Sequence, residues 1–143
     1  MSDTTPHPDP AAPATVRLLY VEDNRLNAML FAEAIRLREG IELRIAEDGA
    51  AAIDMARDWH PDVLVLDAHL PDMNGFDLLR ALRGQPGLAE VPAFMCSADA
   101  TTGDIQRATD AGFSGYWCKP IDLARIMSDL DQACARLPHS PRP

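Results

Sequence analysis

Five short, almost wholly apolar runs punctuate the chain and alternate with longer stretches in which apolar residues return every three or four positions. The runs are RLLYVE (Arg17 to Glu22), IELRIA (Ile41 to Ala46), DVLVLD (Asp62 to Asp67), VPAFMCS (Val91 to Ser97) and SGYWCK (Ser114 to Lys119). Their length and apolar density predict strands. The intervening periodicity predicts helices over Leu26 to Arg38, Ala50 to Trp59, Gly75 to Arg83, Thr102 to Ala111 and Asp122 to Arg136. Leu26, Leu30, Ala34 and Leu37 in the first helix, and Leu123, Ile126, Met127, Leu130 and Cys134 in the last, each predict a stripe laid against a sheet. Gly40, Gly84, Gly87 and Gly112 fall near helix ends, where a positive φ lets the chain turn toward the next strand.

A five-fold βα alternation implies parallel strands joined by right-handed crossovers, and a strand as uniformly apolar as Val63 to Leu66 must be covered on both faces. The expected fold is a doubly wound α/β sandwich, (βα)5, around a parallel five-stranded sheet. It occupies residues 16–137. Residues 1–15 carry four prolines and residues 138–143 three more, and both segments read as disordered tails.

An apolar share of 47% in 143 residues supports one domain with its own core. The net charge of -9 argues against a nucleic-acid or anionic-membrane partner, because no basic run is present to neutralise phosphates. The same acidity suits a metal cation, a basic protein surface or simply a solvated exterior. No run approaches the roughly 20 apolar residues that span a bilayer, and the N-terminus lacks the pattern of a secretion signal, so a cytoplasmic protein without membrane insertion is expected. Cys96, Cys118 and Cys134 are odd in number and lack zinc-site spacing; reduced thiols that pack in the core are the expectation for each.

In open α/β sheets the ligand crevice lies beyond the carboxyl ends of the strands. The first run closes in Glu22 and Asp23, the third in Asp67, the fourth in Ser97 and the fifth in Lys119. Folding would bring three carboxylates together, and two like charges about 4 Å apart repel by roughly 4 kcal/mol at an effective dielectric near 20. Such a cluster wants protons or a hard divalent cation, and magnesium commonly takes one or two carboxylates with a phosphate oxygen. Lys119 and Ser97 could then hold further phosphoryl oxygens, with an aspartate as nucleophile. Taken singly, Asp23 or Asn24 also suits a helix cap, Ser97 a turn and Lys119 a solvated strand end.

LLYVEDN, VLVLDAHLPDMNG, MCSA and GYWCKP, in this order and spacing over about Val16 to Leu137, resemble the receiver domain of response regulators in two-component signalling. The resemblance implies a flavodoxin-like strand order 2-1-3-4-5. It implies phosphorylation of Asp67, with Asp23 and Asp67 binding magnesium (or manganese) directly and Glu22 acting mainly through water. The backbone carbonyl of His69 would be a further ligand. Ser97 and Lys119 would contact the phosphoryl group, Tyr116 would change rotamer as Ser97 moves, and the peptide before Pro120 would be cis. Trp117 would pack on the opposite sheet face by strand alternation.

The implied function is a phosphoryl-accepting switch, charged by a histidine kinase or histidine phosphotransfer protein. Its output would be partner binding through the fourth helix, fifth strand and fifth helix. It is expected to be no enzyme beyond promoting its own phosphorylation and dephosphorylation. Because the chain ends just after the fifth helix, no separate output domain is expected. EDNRLNAMLF resembles receivers of hybrid histidine kinases, where the first helix docks a phosphodonor; Leu26 and Met29 suit either that docking or burial.

His69 departs from the residues more usual at its place. Its side chain is either a solvent-facing bystander or, with Asp99, a tuner of dephosphorylation. As a tuner it would make the phosphoryl lifetime depend on pH near the ordinary histidine value of about 6.5. Two competing functions are a magnesium-dependent aspartyl-phosphate phosphatase and a degenerate receiver that binds constitutively. The familiar dehalogenase-type phosphatase pattern wants an aspartate where His69 stands, and the complete acidic set with Ser97 and Lys119 argues against degeneracy.

Overall fold

The computed structural model describes residues 15–98, 101–120 and 122–137. The elements alternate as the apolar pattern predicts: β1 (Val16–Val21), α1 (Arg25–Arg36), β2 (Ile41–Ala46), α2 (Gly49–Trp59), β3 (Val63–Asp67), α3 (Gly75–Arg83), β4 (Ala93–Ser97), α4 (Thr102–Asp110), β5 (Gly115–Cys118) and α5 (Leu123–Ala135). The strands form one sheet in the order β2-β1-β3-β4-β5, every pair parallel. That is the order the resemblance implied.

Strand alternation sorts the sheet residues into two cores. Leu19, Val21, Leu64, Leu66, Met95 and Tyr116 face one layer, with Ala52 and Ala56 of α2, Leu78 and Leu82 of α3 and Ala108 of α4. Leu18, Tyr20, Val63, Val65, Phe94 and Trp117 face the other, with Phe31 and Ile35 of α1 and Ile126, Leu130 and Ala133 of α5. All five residues of β3 are buried, as a central strand covered on both faces requires. The run from Val91 starts its strand only at Ala93, because Pro92 offers a carbonyl, to the Leu64 amide, but no N–H.

The stripe expected on the first helix is corrected. Leu26, Leu30 and Leu37 are 62%, 56% and 89% exposed, while Phe31, Ala34 and Ile35 are the buried residues of α1. The helix carries two overlapping apolar registers, and the one with the aromatic wins: Phe31 packs on Tyr20 with ring centroids 4.2 Å apart and planes tilted by 33°. In α5 the expected stripe holds through Ile126 and Leu130, but Leu123, in the first turn, is exposed.

Two smaller expectations change. Gly40, Gly87 and Gly112 have positive φ, whereas Gly84 has φ -76 and caps α3 in a right-handed conformation; His60 takes the left-handed cap of α2. All three cysteines are free thiols, but Cys118 is exposed, because it closes the edge strand β5 beyond the helical cover. The tails, residues 1–14 and 138–143, and Asp99 lie outside the described residues. Among the described residues no helix is long and apolar enough to cross a membrane.

Candidate functional site

The parallel strands deliver the predicted polar residues to one end of the sheet. Glu22 and Asp23 follow β1, Asp67 closes β3, Ser97 closes β4 and Lys119 follows β5. One carboxylate oxygen from each of Glu22, Asp23 and Asp67 lies within 4.8 Å of the others. Glu22 is 1% and Asp67 5% exposed, while Asp23 is open to solvent. The Lys119 ammonium donates between the two buried acids, 2.9 Å from Glu22 Oε1 and 3.1 Å from Asp67 Oδ2.

Local structure fixes each acid. Asn24, rather than Asp23, caps α1, its side chain accepting from the Asn27 amide at 3.0 Å, so Asp23 is left for other work. The Asn24 amide also donates to Glu22 Oε2 at 3.3 Å, and the Tyr20 hydroxyl donates to Glu22 Oε1 at 3.0 Å. Asp67 Oδ1 receives the His69 amide at 3.2 Å. Gly75 opens α3 directly under the site, and a Cβ there would sit 2.8 Å from the Asp67 carbonyl oxygen, so only glycine lets the helix start this close.

The electrostatics show a surplus of negative charge. Burial first, and then the neighbouring Asp67, push the Glu22 carboxyl above its ordinary range, against the pull of Lys119. Burial acts to lower Lys119, but Glu22 and Asp67 outweigh it and hold the ammonium above its usual value. Burial also pushes the Cys96 thiol, behind Asp67, up to about 12, which keeps it a neutral packing group. Three carboxylates against one ammonium form an oxygen-rich donor set that fits a hard divalent cation with an open side toward solvent.

Ser97 and Tyr116 are buried and line a shared cavity of about 220 Å³ with Ala68, His69, Phe76 and Arg107. The His69 side chain is exposed at its rim. Trp117 faces away from Tyr116, as alternation predicted, stacking on Phe94 at 4.7 Å and donating from Nε1 to Asp129 at 2.8 Å. The Lys119–Pro120 peptide is cis. The structure thus brings together Glu22, Asp23, Asp67 and Lys119, with Ser97, Tyr116 and His69 beside them.

Two contributors escaped the sequence reading. Tyr20 shares a strand face with Glu22, a relation that i, i+2 spacing could have revealed. Asp72, in the loop after β3, accepts from the Gly49 and Ala50 amides at 2.8 and 2.9 Å, pinning that loop to the start of α2. Those two amides hold its carboxyl below the usual range. Nothing in the local sequence announces so distant a contact.

A family model described as the response regulator receiver domain matches residues 18–131. The chain belongs to the response-regulator receiver family. This receiver is 33% identical over 116 residues to the polar-differentiation response regulator DivK of Brucella ovis, covering 81% of this chain and 94% of the relative. Its fold matches the receiver domain of the sensor histidine kinase PA1611 from Pseudomonas aeruginosa PAO1 with a TM-score of 0.74 and 28% identity, over 83% of this chain and 97% of that one. That structure has a magnesium ion coordinated in its active-site cleft. The chemotaxis response regulator CheY4 of Vibrio cholerae shares the fold, with a TM-score of 0.76 at 24% identity over 83% of this chain and 98% of that one.

Proposed function

We propose that this receiver is a phosphoryl-accepting switch of a two-component system or phosphorelay, with Asp67 as the acceptor. The observation that carries the reading is the cluster of Glu22, Asp23 and Asp67 around the Lys119 ammonium. Asp23, Asp67 and the His69 carbonyl would hold a magnesium ion, or manganese in its place, with Glu22 acting mainly through water. When bound, the ion supplies charge neutralisation for the acids and for the arriving phosphoryl oxygens.

Asp67 attacks the phosphorus of a phosphohistidine. The P–N bond breaks, a P–O bond to the carboxylate forms, and the imidazole leaves and takes up a proton. Lys119 is already 3.1 Å from the acceptor carboxylate and can follow the new charge onto a phosphoryl oxygen. Ser97 closes from the neighbouring strand, and Tyr116, in the same cavity, takes the space that Ser97 vacates. The change passes to the surface of α4, β5 and α5, where a downstream protein binds. Water attack on the acyl phosphate, promoted by the same residues, resets the switch.

The partner reading rests on α1. Its outward face carries Leu26, Met29 and Leu30, and Leu30 borders a cavity of about 230 Å³ with Asn27, Lys119, Pro120 and Leu123. An apolar rim beside Lys119 suits the helices of a histidine kinase or phosphotransfer protein, which would place the reaction in the cytoplasm.

Incubation with acetyl phosphate and magnesium is expected to add one phosphoryl group by intact mass, and chelation or Asp67→Asn to abolish it. Absence of labelling under all conditions would favour constitutive binding. Sustained turnover of an external phosphoester would favour a phosphatase.

A further inference from the structure

Tyr20 is fully buried in β1, two residues before Glu22 and on the same strand face. Its hydroxyl donates to Glu22 Oε1, the oxygen that also receives Lys119, at 3.0 and 2.9 Å respectively. The other oxygen, Oε2, receives only the longer bond from the Asn24 amide among the contacts above, at 3.3 Å. Tyr20 is itself held by the packing of its ring against Phe31 of α1. A glutamate has one more torsion than an aspartate, so a partner that selects one rotamer matters more for a glutamate at such a site.

We propose that Tyr20 is a positioning residue for the metal centre: its hydroxyl fixes Glu22 Oε1 beside Lys119 and so holds the carboxylate in the one arrangement that keeps it grouped with Asp23 and Asp67. This rests on the metal-dependent reading above. Outer-shell hydrogen bonds orient ligands, and losing one costs roughly tenfold or more in metal affinity. The ring also ties the site to α1, the helix whose outer face borders it.

Tyr20→Phe removes the hydroxyl and keeps the ring and its contact with Phe31. Magnesium affinity, measured by titration calorimetry on the parent, Tyr20→Phe, Glu22→Gln and the double variant, separates positioning from packing. The expected result is about a tenfold loss in Tyr20→Phe and less than about a twofold change when Glu22→Gln is already present. An unchanged affinity in Tyr20→Phe, or an equal loss in both backgrounds, would overturn the positioning role while leaving the metal site standing. A parent protein that binds no magnesium would overturn both.

Discussion

The two ends of the sheet handle buried charge in opposite ways. At the amino ends, buried Asp62 accepts from the Arg17 amide at 2.9 Å, and the Arg17 guanidinium donates to the Trp59 carbonyl. Arg17 and Arg44 lie 5.6 and 4.7 Å from the Trp59 ring centre. There the Asp62 carboxylate meets a backbone amide and the two arginines meet a carbonyl and an aromatic face, which closes the bottom of the fold. At the carboxyl ends three carboxylates share one lysine, and the excess shows in the raised carboxyl of Glu22. One sheet therefore anchors itself at one end and holds an electrostatically incomplete site at the other, where a cation and a phosphoryl group can complete it.

The largest expected effect comes from removing the shared lysine. Without metal at neutral pH, Lys119→Met strands two buried acids and is expected to cost about 3 to 5 kcal/mol in denaturant unfolding. Saturating magnesium should recover part of the loss. An identical loss with and without magnesium would erase the proposed difference between the two ends.

Asp62→Ala provides the counterpart, leaving the amide of half-buried Arg17 without its acceptor at an expected cost of about 1 kcal/mol. This cost should not respond to magnesium, and phosphorylation from acetyl phosphate should persist. A magnesium-sensitive loss would mean that the ends are coupled.

The third expectation concerns pH. An acid whose folded pKa lies above its unfolded value of about 4.3 binds more protons when folded, so its stabilising contribution is present below that value and lost as pH rises through the folded one. Glu22 is such a group. Metal-free parent protein should therefore lose stability relative to Glu22→Gln as pH rises above the unfolded value of about 4.3. Lys119, also raised, contributes stability below about 10.4 and loses it only above, so it does not mask this trend. Parallel curves for parent and variant from acid to neutral pH would contradict the assignment.

The smallest effect on stability should come from Leu30→Ser, on the exposed rim of the site, at within about 0.5 kcal/mol. Phosphotransfer from a protein donor should nevertheless slow, with labelling by acetyl phosphate unchanged. Equal rates from both donors would remove α1 from the docking surface.

Much of this contrast was legible in the sequence, because parallel strands must end on the same side and the chain closes four of its apolar runs with polar residues. Asp67 and Lys119, 52 positions apart, meet for that reason alone. The rotation of α1 was not legible, since Leu26, Leu30 and Leu37 have helical spacing as good as that of Phe31 and Ile35. The packing of Phe31 on Tyr20 and the burial of Ile35 show which register faces the sheet. The clasp of Asp72 on α2 was equally hidden, because it depends on how two loops meet in space.

The central claim, that the incomplete end of the sheet accepts a phosphoryl group on Asp67 with a divalent cation, can be read at the residue itself. After treatment with acetyl phosphate, borohydride reduces an aspartyl phosphate to homoserine, which peptide mass spectrometry locates. The account predicts conversion at position 67 only when magnesium was present. Conversion at Asp23, conversion independent of magnesium, or none at any carboxylate would contradict it.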